Sequence, residues 1–157
     1  SRLDYGNGVL VGLPAYLVRR LQSVQNAAAR LICNLRRFDH ITDALANLHC
    51  LRVLERVVFK VAVLTFKVFH GSAPEYLGPV VRFTDHPGRQ ALRSSDTNRL
   101  VVPPFKLSTI GRRAFSVAGP QIWNDLPDDI TSLHSLPAFR RKLKTYLFIR
   151  SFPNLDI

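Results

Sequence analysis

The sequence predicts a mostly α-helical fold, a small irregular helical bundle with a basic loop and a short extended segment in the middle. Three observations predict it. Apolar residues recur at spacings of three and four over several long stretches, the mark of one helix face. At 157 residues and 46% apolar content the chain can bury a core and is not globally disordered. Between the periodic stretches lies TDHPGRQALRSSDTNR (84–99), polar, turn-rich and basic.

The first helix spans Pro14 to Leu35. Leu17, Leu21, Val24, Ala28, Leu31 and Leu35 make its apolar stripe, and Pro14 suits the first turn. Alanines 27–29 favour helix and permit a close neighbour. A short helix follows, with Thr42 as N-cap for DALANLHCL. LRVLERVVFKVAVLTFKVFHG (51–71) reads as a mostly buried helix, although its valines leave a strand open. Its broad apolar face comprises Leu54, Val57, Val58, Val61, Leu64, Val68 and Phe69. Arg52, Arg56, Lys60 and Lys67 are spaced to share one edge of that helix, and Gly71 fits the left-handed residue past its end.

LVVPPF (100–105) is a short extended run that Pro103 and Pro104 stop. STIGRRAFSVAGPQIWNDLP (108–127) reads as two short helices split at Gly119-Pro120, with Ser108 or Thr109 capping the first. Trp123, the only tryptophan, anchors the core beside Leu126. SLPAFRRKLKTYLF (135–148) closes the chain as an amphipathic helix with Ser135 as cap and Pro137 in the first turn. Phe139, Leu143, Tyr146 and Leu147 face inward, and Arg140, Arg141, Lys142 and Lys144 crowd the rest. The expected organisation is a helical region over 1–83, a basic linker with a short extended run over 84–107, and a second helical region over 108–157.

Twenty-two Lys and Arg against 11 Asp and Glu give a net charge of +11. The excess is spread along the chain, not gathered in a tail. A folded domain this basic implies an anionic partner, and nucleic acid is the usual one. No apolar run is long enough for a membrane span, and no signal peptide is visible. Two cysteines, Cys33 and Cys50, are too few for a disulfide framework and suit a reducing compartment. The absence of methionine, even at position one, points to a fragment, a processed product or an incompletely predicted gene.

Catalytic patterns are not found. Gly6, Gly8 and Gly12 in LDYGNGVLVGLP match neither GxGxxG nor a GK[ST] ending. The five histidines share no spacing with an acid or a thiol. His49, Cys50 and Cys33 lack an evident fourth zinc ligand. Asp128-Asp129 after Pro127 reads as the start of a helix. The basic edge 52–67 reads equally as a solvated face or a nucleic-acid contact. The cluster 140–144 leans to contact, since no local acid offsets it.

In order along the chain, LDYGNGVLVGLPAYLVRRLQSVQNAAARLI, FDHIT, LTFKVFHGSAPEYL, LRSSD, LVVP, GRRAFSVAGPQIWNDLP and LPAFRRKLKTYLF resemble the segment after the polymerase core in non-LTR, LINE-type retrotransposon reverse transcriptases. Jockey-like and chicken-repeat-like clades are the most similar. The resemblance covers nearly the whole chain. It departs at Gly6 and Gly8, where the family usually has Cys and Ser, and at Gly119, where Ala is common. These departures suggest a drifted copy.

The resemblance implies a thumb-proximal, C-terminal region of an RNA-directed DNA polymerase. The Tyr-x-Asp-Asp type motif of that family is absent from this sequence. Magnesium is expected only in the catalytic core upstream, so this chain alone is expected not to polymerise. The implied partners are RNA or DNA and the upstream polymerase core, with no membrane and no small-molecule substrate. The implied location is the nucleus or a cytoplasmic ribonucleoprotein. The candidate contacts, chosen on charge, are Arg52, Arg56, Lys60, Lys67, Arg112, Arg113, Arg140, Arg141, Lys142 and Lys144. The rival expectations are a helical brace on the polymerase core, or a decayed element copy without function.

Overall fold

The computed structural model describes residues 6–82 and 98–153. Among them the chain is mostly helical, a small bundle without a strand. The helices are α1 (Ala15–Ile32), α2 (Ile41–Asn47), α3 (Val53–Phe69), α4 (Ser108–Gly111), α5 (Phe115–Asn124), α6 (Asp128–Thr131) and α7 (Leu136–Ser151). Single 3-10 turns at Asn7–Leu10 and Glu75–Leu77 precede α1 and follow α3. Up to residue 97, the expected loop over 84–99 lies outside the described residues.

Helix α3 is the hub. It packs against α5, α7, α1 and the N-terminal 3-10 turn. Its buried residues, Val57, Val61, Ala62, Val63, Thr65 and Phe66, span more than one face, as a helix enclosed by neighbours requires. That burial outweighs the weak helix preference of its valines and excludes the strand alternative. Its first turn is capped at long range. Arg52 at the N-cap makes no side-chain cap bond, and Gln22 Oε1 of α1 accepts the Val53 N–H at 2.9 Å. Gly71 has φ of +64°, as its place past the helix end predicts.

The core draws on both helical regions. Phe66 stacks on Phe139 at 4.5 Å between ring centroids, and Trp123 on Phe139 at 5.6 Å. Trp123 is buried as expected, and its Nε1 donates to the Asn98 carbonyl at 2.8 Å. Its neighbour Asn124 accepts from Leu100 N at 2.8 Å and donates to Leu100 O at 2.9 Å. The end of α5 therefore pins the extended run, which has a single antiparallel bridge, Arg82 to Leu100. Helix α7 closes the core with Phe139, Leu143 and Leu147 buried and Tyr146 half-buried, as its spacing predicts. Ser135 holds the N-cap position and Pro137 lies in the first turn.

Five local expectations are corrected. The helix pair does not split at Gly119-Pro120. The break falls at 112–114, and α5 runs through Pro120. Proline removes one hydrogen bond there, but Val117, Ala118, Gly119, Pro120 and Trp123 are all buried against the core. Thr42 is not the N-cap of α2, which starts at Ile41 after His40, and Leu107 takes the N-cap of α4 ahead of Ser108 and Thr109. Pro14 sits one residue before α1, not inside its first turn. Leu54 is exposed although it belongs to the apolar face assigned to α3.

The largest difference concerns α1. Its apolar stripe does not centre on the core. Val24, Ala28 and Leu31 are exposed, Leu17 and Leu21 are half-buried, and the buried residues are Gln25 and Ala29. Two amides set this rotation. Gln25 Nε2 donates to Leu51 O at 2.8 Å, and Gln22 caps α3, so the glutamine face of α1 turns inward.

Candidate nucleic-acid interface

The ten cations expected to contact nucleic acid do not form one patch. The fold sorts them. Arg56, Lys60 and Lys67 of α3 line a groove of about 480 Å³ together with Arg140 and Lys144 of α7. Helix geometry makes both walls. Residues four apart lie one above the other, so Arg56 and Lys60 align, as do Arg140 and Lys144. Packing of α7 on α3 through Phe139 and Phe66 brings the walls face to face.

Apolar and neutral residues form the rest of the groove, among them Phe59, Val63, Leu64 and Asn7. No Asp or Glu lines it among the described residues. Lys60, Lys67, Arg140 and Lys144, with no acid beside them in the lining among the described residues, focus a positive potential outward, while Arg56 is engaged within the fold. From Arg56 to Lys67 the α3 wall rises about 16 Å at 1.5 Å per residue, matching four or five nucleotides of a stacked strand.

The other five candidates lie elsewhere. Arg52 places its guanidinium over the Phe152 ring, 5.3 Å from the centroid, which takes it off the shared edge expected for α3. Arg113 donates from Nε to Val11 O at 3.3 Å and packs its stem against Gly12. A Cβ at Gly12, whose φ is +68°, would stand 3.1 Å from Arg113 Cγ. That glycine serves a close approach between the N-terminal turn and the 112–114 break, not a phosphate cradle. Arg112 and Arg141 are exposed and outside the groove. Lys142 is paired: its Nζ lies 2.8 Å from Asp129 Oδ2 and donates to Asp129 O at 3.1 Å. The 140–144 cluster has no local acid, and the fold brings one to Lys142 from a distance. The offsetting acid sits in α6, the short helix that Asp128 and Asp129 begin, as their place after Pro127 predicts.

One groove residue escaped the charge-based choice. His49 lines the opening from the connection between α2 and α3. Its φ of +51° is uncommon for a residue with a side chain. Its Nδ1 lies 3.1 Å from Asn47 O, and its ring stacks toward Phe148 at 5.9 Å. No spacing rule relates this loop residue to α3 or α7, so the sequence carries no signal for it.

Compared with protein-family models, curated proteins and solved structures, the chain matches none.

Proposed function

We propose that this chain is a non-catalytic nucleic-acid-binding helical module. Its place is the thumb-proximal C-terminal region of a LINE-type reverse transcriptase, where it helps hold RNA or DNA during target-primed reverse transcription. The carrying observation is the groove in which α3 and α7 bring their cations together, with no Asp or Glu lining it among the described residues. Such a groove grips the phosphate backbone without reading bases. The family part of the proposal rests on the ordered sequence resemblance. The Tyr-x-Asp-Asp type motif is absent from this sequence, so polymerisation would belong to the upstream core.

The test compares two charge reversals in the full chain by fluorescence anisotropy with labelled single-stranded RNA and DNA. Arg140→Glu with Lys144→Glu inverts the α7 wall and is expected to weaken binding at least tenfold. Arg141→Glu, outside the groove, is expected to leave it within about twofold. Equal effects from the two variants would refute the groove as the contact. Unchanged binding in both, with helicity intact, would assign the charge to solvation and favour the brace.

A further inference from the structure

The groove between α3 and α7 is not uniformly charged, and its floor restricts what can fill it. On α3 its lining runs Arg56, Phe59, Lys60, Val63, Leu64 and Lys67, one stripe at alternating spacings of three and one. At about 3.6 residues per turn, Phe59 and Val63 form the row beside Arg56 and Lys60. Both pack on the core that α3 shares with α7. This apolar row therefore lies on the α7 side of the α3 cations, with Arg140 and Lys144 beyond it. Phe59 is only half-buried there. At the opening His49 is exposed, its ring inclined 22° to that of Phe148. The groove thus combines cationic rims with an apolar floor that carries aromatic rings.

A ligand that offered phosphates alone would set charge over this floor, which desolvation opposes. A duplex offers the groove little else, since its bases are stacked and paired behind the two backbones. An unpaired strand carries both parts that the groove can use, a phosphate at each nucleotide and a flat π face free to stack. The groove volume of about 480 Å³ is of the size that takes a small organic group. We propose that the groove selects an unpaired nucleic-acid strand over a duplex. Its bases stack on Phe59 and His49 while Lys60, Lys67, Arg140 and Lys144 hold the phosphates. This rests on nucleic-acid binding in the groove and adds the class of strand that the groove takes. Stacking accepts every base, so the groove stays blind to sequence.

Anisotropy on the full chain compares labelled DNA probes of about 12 nucleotides, within the site sizes of single-strand binders. The probes are oligothymidylate, an abasic strand with the same phosphates, and oligothymidylate paired to oligoadenylate. At equal salt the unpaired oligothymidylate is expected to bind at least tenfold tighter than the duplex, although the duplex carries twice the phosphates. It is expected to bind at least fivefold tighter than the abasic strand, the order of one stacked base. Phe59→Leu keeps an apolar side chain on the core and removes the ring. It is expected to bring oligothymidylate down to the level of the abasic strand with circular dichroism intact, and Phe59→Tyr to retain tight binding. His49→Asn suits the left-handed backbone at φ +51° and is expected to weaken oligothymidylate at least threefold relative to the abasic strand. An abasic strand bound as tightly as oligothymidylate by the native chain overturns the proposal and leaves phosphate binding in the groove standing. So does a duplex bound as tightly. Equal losses for both single strands in the Phe59→Leu and His49→Asn variants make the two rings structural and overturn it too. Polyglutamate that displaces oligothymidylate with the same dependence on Phe59 overturns it in favour of an acidic protein. Binding to none of the probes overturns both this proposal and the groove's nucleic-acid function.

Discussion

Replacing Gly119 by alanine brings the chain to the residue common in the family it resembles, and the structure predicts that this destabilises it. A Cβ at Gly119 would stand 2.8 Å from Thr65 Oγ1 across the α3–α5 contact. Thr65 is fully buried, and its hydroxyl donates to Val61 O at 3.0 Å. A β-branched side chain on a helix has few rotamers, so Oγ1 has little freedom to move out of the contact. Alanine gains about 1 kcal/mol over glycine in helix preference, while overpacking a buried contact costs about 1–3 kcal/mol. With so little freedom at Thr65 the upper part of that range applies, so Gly119→Ala loses about 1–2 kcal/mol net. For a chain of this size that lowers Tm by roughly 2–8 °C. Calorimetry of the single variant, Thr65→Ala and the double variant completes the cycle. In the Thr65→Ala background the obstruction is gone, and the added alanine stabilises by about 1 kcal/mol. A raised Tm for Gly119→Ala in the native background, or the same shift in both backgrounds, would refute the reasoning. Gly119 thus gives the threonine opposite it the room it needs.

Three further outcomes follow. Lys60, Lys67, Arg140 and Lys144 displace counterions from four phosphates at about 0.7 each for a single strand, so affinity falls roughly 50-fold between about 50 and 200 mM salt. A salt titration by anisotropy checks this, and reversing Arg140 and Lys144 at least halves the slope; Arg56 is left out of the sum because it is already engaged within the fold. Asn124→Ala removes both hydrogen bonds to the Leu100 backbone and lowers stability by about 2 kcal/mol in urea unfolding followed by Trp123 fluorescence. Asn124→Asp fails similarly, because an ionised carboxylate cannot donate to Leu100 O. Asp129→Ala breaks an exposed pair with Lys142, so the urea midpoint corresponds to a change within about 1 kcal/mol and RNA affinity is unaltered.

Periodicity along the chain made α1, α3 and α7 legible, and for α7 it also identified the residues that enter the core. These helices repeat apolar residues long enough for the 3.6-residue period to outweigh local preferences. Shorter elements were read less well, because a single turn carries few residues and its ends are set by neighbours. Proline 120 read as a break, yet burial against α3 holds the helix through it. Thr42 read as a cap, yet α2 begins one residue earlier. The rotation of α1 was beyond reach for another reason. Two glutamines, which periodicity counts as outward, bond Leu51 and Val53 and turn inward. Those bonds span 26 and 31 residues, and no local pattern encodes them. Half of the candidate cations meet in the groove for the same kind of reason. Their placement depends on how α7 lies against α3, which charge spacing within either helix does not contain.

The even spread of charge along the sequence acquires a physical meaning in the fold. Arg56, Lys60 and Lys67 belong to the first helical region, and Arg140 and Lys144 to the second. Neither region alone can build the groove, since each supplies one wall. The walls are held apart and in register by Phe66, Trp123 and Phe139, rings contributed from both sides of residues 83–97. Core packing and the cationic groove therefore depend on the same α3–α7 contact. The groove's self-repulsion works against that contact, and the aromatic cluster works for it. Backbone phosphate bound in the groove would remove the repulsion and leave the packing in place. Nucleic acid is then expected to stabilise the fold through the contact that forms its binding site, by an amount that salt diminishes along with the affinity.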